Sequence, residues 1–269
     1  MPQRGAAYLV GSGPCALIEA GTPIAADILL RVVDGLELEY VFVTHIHLDH
    51  AGGAGALTQA HPETTVVVHP RGARHLVDPA RLIEGVRAAS PDLFKLYGEP
   101  VPVEGERLHK VEDGESFSVG QTTIRALHAP GHAPHHVCYI DGDSGTLFTG
   151  DAAGNYGIPV DVPLTVPPRF DIDASIDTLR RLRSMKPRAL AYTHFGIAGN
   201  DPEGLLRSYE QHIRNWFERL QGFDSEQEAA RAILAEPKYE GLSPKDRHSI
   251  EMCVRGAFRT LESANRNDG

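Results

Sequence analysis

Short apolar runs broken by glycine, proline and aspartate turns fill roughly the first 200 residues, whereas apolar positions recur every three or four residues beyond them. The two periods predict an α/β body followed by helix alone. Tyr8–Val10 and Cys15–Glu19 flank a Gly-Ser-Gly-Pro turn and read as a hairpin. A helical stretch near Ala25 to Val33 ends at Gly35, and the β-branched run Tyr40 to Thr44 reads as a buried strand. A helix over about Gly52 to Ala60, a strand over Thr65 to His69 and a helix from about Arg71 continue the alternation. Prolines 79, 91, 100 and 102 make residues 78–104 a surface stretch of helix and loop, where a substrate lid can sit. The turns Asp113-Gly114, Val119-Gly120, Pro130-Gly131, Asp141-Gly142 and Ser144-Gly145 predict a β-meander from Leu108 to Thr149. A helix from about Ala174 to Met185 then feeds the strand Ala189 to Thr193, which ends at His194.

Leu206, Tyr209, Ile213, Trp216 and Leu220 lie on one helical stripe. Ser225 with Glu228 opens a second helix as a capping box, and Ser243-Pro244 opens a third before Ile250, Val254, Phe258 and Leu261. The expected organisation is a body of residues 1–200 and a helical extension of residues 201–269 that packs on it and walls a substrate pocket.

Composition narrows the function classes. A hydrophobic fraction of 41% and a charged fraction of 23% are those of an ordinary globular protein, and a net charge of -10 argues against a nucleic-acid partner. Cys15, Cys138 and Cys253 lie far apart without CxxC spacing, so neither a disulfide framework nor a thiolate metal site is indicated. No charged start followed by an apolar stretch opens the sequence, and no apolar run approaches the roughly 20 residues of a membrane helix. The expectation is a cytoplasmic protein with a small-molecule substrate, no membrane partner, and room for a homodimer.

HIHLDH at residues 45–50 places four metal-ligand side chains within six positions at a strand end. A lone histidine is more often structural, but a cluster of this density points to metal. In an extended segment His45 and His47 share one side and can grip one ion, while the turn after Leu48 swings Asp49 and His50 toward a second. Pro130-Gly131-His132, Thr149-Gly150-Asp151 and Tyr192-Thr193-His194 each put a further ligand type at a strand end. Imidazole and carboxylate donors without thiolate suit zinc first, with iron or manganese as alternatives.

This pattern resembles the metallo-β-lactamase superfamily, whose members carry HxHxDH followed by His, Asp and His. The resemblance covers about residues 5–200 and implies an αβ/βα sandwich of four layers, two mixed sheets face to face with helices outside. It further implies that His45, His47 and His132 bind a first metal, that Asp49, His50 and His194 bind a second, and that Asp151 bridges both. His136 matches the second histidine of the GHTxxH segment in glyoxalase II-like members, which gives it a role in orienting a ligand. The remaining histidines at 61, 69, 75, 109, 128, 212 and 248 have no place in the pattern and are read as structural, and His135 is given no role.

Two ions about 3.5 to 4 Å apart can acidify a bridging water toward a pKa of roughly 7 and polarise a carbonyl. The same resemblance implies that Asp49 is the catalytic residue, orienting that nucleophile and passing on its proton. The resemblance disfavours antibiotic hydrolysis, because true β-lactamases of the superfamily usually lack the bridging aspartate. RNA-processing members carry extra modules and basic surfaces, and flavo-diiron reductases place Glu where His47 stands. The expected function is a binuclear metal-dependent hydrolase, hydroxide on two zinc ions attacking a thioester, lactone or ester carbonyl. Lactonases of acyl-homoserine lactones place tyrosine three residues after the bridging aspartate, where this chain has Gly154; Tyr156 is the nearest tyrosine. The rival is an oxidoreductase of the persulfide dioxygenase type, holding one iron with His45, His132 and Asp151. A binding module without catalysis fits a complete ligand set poorly.

Overall fold

Period-two alternation decides which layer each strand residue faces. The computed structural model describes residues 5–156, 162–166, 170–194 and 196–267. Five strands, β1 (Tyr8–Val10), β2 (Pro14–Ile18), β3 (Glu37–Phe42), β4 (Thr65–Val68) and β5 (Leu108–Lys110), form the first sheet in that order. Its first pair is antiparallel and the rest are parallel. The second sheet runs β11 (Gly196–Ala198), β10 (Ala189–Tyr192), β9 (Thr146–Gly150), β8 (Val137–Asp141), β7 (Thr122–His128), β6 (Ser116–Val119). In it β9 and β10 are parallel and the other pairings antiparallel. Both sheets are therefore mixed.

Ala16, Ile18, Phe42 and Val67 of the first sheet meet Phe117, Ile124, Ala126, Tyr139, Phe148 and Ala191 of the second in one buried cluster. Their strand neighbours face outward. Leu17, Val41, Val66 and Val68 pack beneath Ala54 and Leu57 of α3 (Ala54–Ala60) and Ala73 and Leu76 of α4 (Pro70–Val77). On the far side Leu127, Leu147 and Leu190 pack beneath α7 (Ile172–Ser184), α8 (Pro202–Leu220), α9 (Glu226–Leu234) and α10 (Pro244–Asn267). The result is the four-layer αβ/βα sandwich, with the carboxy-terminal helices as part of its outer layer.

Helix α1 (Ala26–Val32) matches its expected stretch and α3 fills the helix expected over 52–60, but a short helix α2 (Leu48–Ala51) precedes it where only a turn was expected. The break between the two is at Gly52-Gly53, where a Cβ on Gly53 would stand 2.3 Å from the Ala20 carbonyl oxygen. Strand β3 starts three residues before Tyr40 and ends at Phe42, and β11 was not foreseen because three residues carry no readable period. The stretch 78–104 holds α5 (Ala80–Ala89) and α6 (Pro91–Tyr97). Among the described residues no helix is long and apolar enough to cross a membrane.

Candidate metal centre

The parallel strands β2 and β3 of one sheet and β9 and β10 of the other all end at the same edge of the sandwich, so the segments that leave them converge. His45, His47, Asp49 and His50 follow β3, Asp151 follows β9, His194 follows β10, and His132 lies in the β7–β8 connection. Gly150 allows this convergence. It has φ +50, and a Cβ there would stand 2.6 Å from His136 Nε2 and 2.7 Å from Thr44 Oγ1.

His45, His47, His132 and Asp151 bring donor atoms within 4.8 Å of one another, as do Asp49, His50 and His194. In the first set His45 Nε2 lies 2.8 Å and His132 Nε2 3.3 Å from His47 Nδ1. Asp151 stands between the sets. Its Oδ2 is 3.3 Å from His132 Nε2 and 3.9 Å from His45 Nε2, while its Oδ1 is 3.4 Å from His50 Nε2 and 3.5 Å from His194 Nε2. Asp49 closes the second set, with Oδ1 4.0 Å from His50 Nε2 and Oδ2 3.8 Å from His194 Nε2. Donors at about 2.0–2.2 Å from one tetrahedral centre stand roughly 3.3 Å apart, so both sets are spaced for an ion.

Two buried atoms support that fit: His50 Nε2 and Asp151 Oδ1 face each other without a hydrogen-bond partner among the described residues. A cation between them would satisfy both. Burial pushes His45 well below the ordinary histidine range and His47 to about 3, aided by the neighbouring imidazoles. Burial also lowers His132. These rings are thus neutral, the form that donates to a metal. His50 is the exception: burial opposes its charge, yet Asp151, Glu19 and Asp49 together hold it well above its usual range. That is the signature of carboxylates in need of positive charge. Burial would raise Asp151, but His50, His132 and His194 hold it well below the carboxylate range.

The outer nitrogens are fixed as well. His132 Nδ1 donates to the Leu164 carbonyl at 2.8 Å, His50 Nδ1 to Glu19 Oε1 at 2.8 Å, and His45 Nδ1 lies 3.1 Å from Thr44 Oγ1. Such partners set the tautomer and aim of a ligating ring.

A family model of the metallo-beta-lactamase superfamily matches residues 2–194. The chain belongs to that superfamily. Among curated relatives, the metallo-beta-lactamase fold-containing protein ST1585 of Sulfurisphaera tokodaii is 32% identical over 60% of this chain and 62% of its own length. An atrochrysone carboxyl ACP thioesterase of Paecilomyces divaricatus is 28% identical over 77% of this chain and 55% of its own. The matched stretch thus spans little more than half of these relatives. Among solved structures, the archaeal superfamily protein ST1585 from Sulfolobus tokodaii superposes with a TM-score of 0.74 at 25% identity, covering 97% of this chain and 94% of the other. TTHA1429 of Thermus thermophilus, also a metallo-beta-lactamase family protein, shares the fold with a TM-score of 0.68 at 20% identity, over 98% and 91% of the two chains.

Within this superfamily site, Glu19 is one of three residues that reading the sequence missed, with Tyr97 and Tyr209. Glu19 is 1% exposed, takes φ +74 just past β2, and accepts hydrogen bonds from Thr44 Oγ1, His50 Nδ1 and Thr193 Oγ1. Its signal was an acid closing the apolar run Cys15–Ile18. His136 is fully buried, and its Nε2 accepts from the Asp151 backbone N–H at 3.1 Å, so it positions the residue between the two sets. Tyr156 turns its ring onto Tyr192, with centroids 5.5 Å apart, and its N–H donates to the His194 carbonyl. Two tyrosines from elsewhere in the chain also reach the site: Tyr97 donates to Asp49, and Tyr209 accepts from the Leu164 N–H at 3.1 Å.

Proposed function

We propose that the chain is a binuclear metal-dependent hydrolase acting on a small-molecule thioester, lactone or ester, with zinc as its metal. The observation that carries this reading is the position of Asp151, one carboxylate oxygen toward each donor set. His45, His47 and His132 would hold one ion, Asp49, His50 and His194 the other, and Asp151 would touch both. When bound, such ions act as Lewis acids that acidify water toward neutral pH and polarise a carbonyl oxygen.

The chain's own groups supply the rest. Burial favours a protonated Asp49, but the charges of His50 and His194 outweigh it and keep the carboxylate ionised. Its side chain is 25% exposed, so one carboxylate at the rim faces an arriving substrate and can take up and release a proton. Buried His45 and His132 keep their aim through Thr44 and Leu164. The thioesterase naming of several relatives favours a thioester over a lactone or simple ester.

Against the one-iron oxidoreductase stands Glu19. It braces His50, a residue that a single site made of His45, His132 and Asp151 does not use. Metal analysis of protein purified without added metal tests the reading: about two zinc per chain is expected, with turnover on an acyl thioester panel. One iron per chain with oxygen consumption on a persulfide overturns it.

A further inference from the structure

Tyr97 is the last residue of α6, and its hydroxyl donates to Asp49 Oδ2 at 3.3 Å. We infer that Tyr97 is a positioning residue that fixes the Asp49 carboxylate for the second metal, an inference that rests on the two-metal reading above.

Three observations show that the phenol is held in place. Gly98 ends α6 at φ +85 with its N–H on the Phe94 carbonyl at 2.9 Å, and a Cβ at that position would stand 2.8 Å from Ile24 Cγ1 and 3.5 Å from Pro23 Cβ. The helix end is therefore seated on the turn at Pro23-Ile24, which follows directly on the Glu19-Ala20-Gly21 segment. That segment is in turn fixed to the ligand loop, because Ala20 N–H donates to the His50 carbonyl at 2.7 Å and Gly21 forms a bridge with Ala51. Finally, α5 and α6 are tied to each other: the Arg87 guanidinium lies over the Phe94 ring at 4.3 Å and pairs with Glu99 at 3.3 Å. Tyr97 thus approaches Asp49 from a braced hairpin.

The consequence is geometric. Asp49 has one oxygen toward His50 and the other toward His194, and a carboxylate at the rim can leave this orientation by turning about its side-chain bonds. Tyr97 shares Oδ2 with His194 from the outside, so turning away costs its hydrogen bond. The same contact couples α6 to the donor sets.

Tyr97→Phe removes one oxygen and keeps the ring. Zinc titration of metal-stripped protein, followed by calorimetry, should show the first equivalent binding as in the wild type and the second roughly tenfold weaker, as expected when a partner of a ligating carboxylate is lost. On a thioester, kcat should fall about tenfold with KM changed less than about threefold, and thermal unfolding of the metal-free protein should not move. A second equivalent that binds Tyr97→Phe as tightly as the wild type overturns the role given to Tyr97 and leaves the two-metal reading intact. A wild type that takes up one equivalent only overturns both.

Discussion

Glu19 Oε1 accepts a hydrogen bond from His50 Nδ1 at 2.8 Å, with both side chains buried from solvent. The same oxygen accepts from Thr44 Oγ1 and Thr193 Oγ1, each at 2.7 Å, while Oε2 takes the Thr44 N–H at 3.2 Å. Thr44 and His50 flank the HIHLDH run and Thr193 precedes His194, so one carboxylate pins two of the donor-bearing segments from behind. Its positive φ places it there, a conformation that a non-glycine residue adopts only when its surroundings repay the strain.

Glu19→Gln tests that role. The amide nitrogen cannot accept from a histidine or a threonine, so at least one buried donor loses its partner, at a cost of about 1–3 kcal/mol. Thermal unfolding should shift down, and the second metal equivalent should weaken by roughly 10- to 100-fold while the first changes less. Wild-type affinity for both equivalents would mean that Glu19 braces the fold alone.

The two oxygens of Asp151 predict a stoichiometric difference. Asp151→Ala deprives both donor sets of a ligand and should fail to retain either equivalent through gel filtration, whereas His194→Ala should retain the first. Equal loss in the two variants would mean that the sets are not separable as drawn.

What the sequence made legible follows from where each residue lies. The two donor sets could be traced in the sequence because four candidate ligand side chains of HIHLDH leave one strand end together, and His132, Asp151 and His194 each sit in a glycine- or threonine-marked turn after a recognisable strand. The layers could be read only through the family resemblance, because Leu17 and Ile18, like Val66 and Val67, are apolar neighbours that face opposite layers and leave no polar alternation in the sequence. Glu19, Tyr97 and Tyr209 could not. Each lies in a different element from the ligand it supports, and no local period encodes a contact across 31, 48 or 45 residues, the separations of Glu19 from His50, Tyr97 from Asp49 and Tyr209 from Leu164.

Tyr209 carries the influence of the carboxy-terminal helices on the site. It accepts the Leu164 N–H, and the Leu164 carbonyl accepts from His132 Nδ1. The segment is held from α10 as well, since Thr165 Oγ1 donates to the Cys253 carbonyl at 2.7 Å and a Cβ on Gly256 would stand 1.6 Å from the Thr165 carbonyl oxygen. Tyr209→Phe leaves a backbone N–H without its partner, so stability should drop by about 1–3 kcal/mol. The first equivalent, which His132 serves, should weaken more than the second. Denaturant unfolding and metal titration on one preparation separate the two effects, and an unchanged first equivalent would show that the helices do not reach the site through Leu164.

Asp49 separates turnover from folding. It lies in both the second donor set and the rim, and its carboxylate is ionised because His50 and His194 overcome the burial that would protonate it. Asn keeps the shape, and its amide oxygen can still accept from Tyr97, but the charge and the basicity are gone. Asp49→Asn should therefore fold, retain the first equivalent and lose roughly a hundredfold or more in kcat, the range expected for a positioned general base. Adding excess zinc discriminates between the two parts of that loss: recovery of full activity with the second equivalent restored would show that Asp49 serves as a ligand only. A fully loaded Asp49→Asn protein that stays slow shows that the carboxylate takes the proton itself, because shape, metal content and substrate access are then those of the wild type.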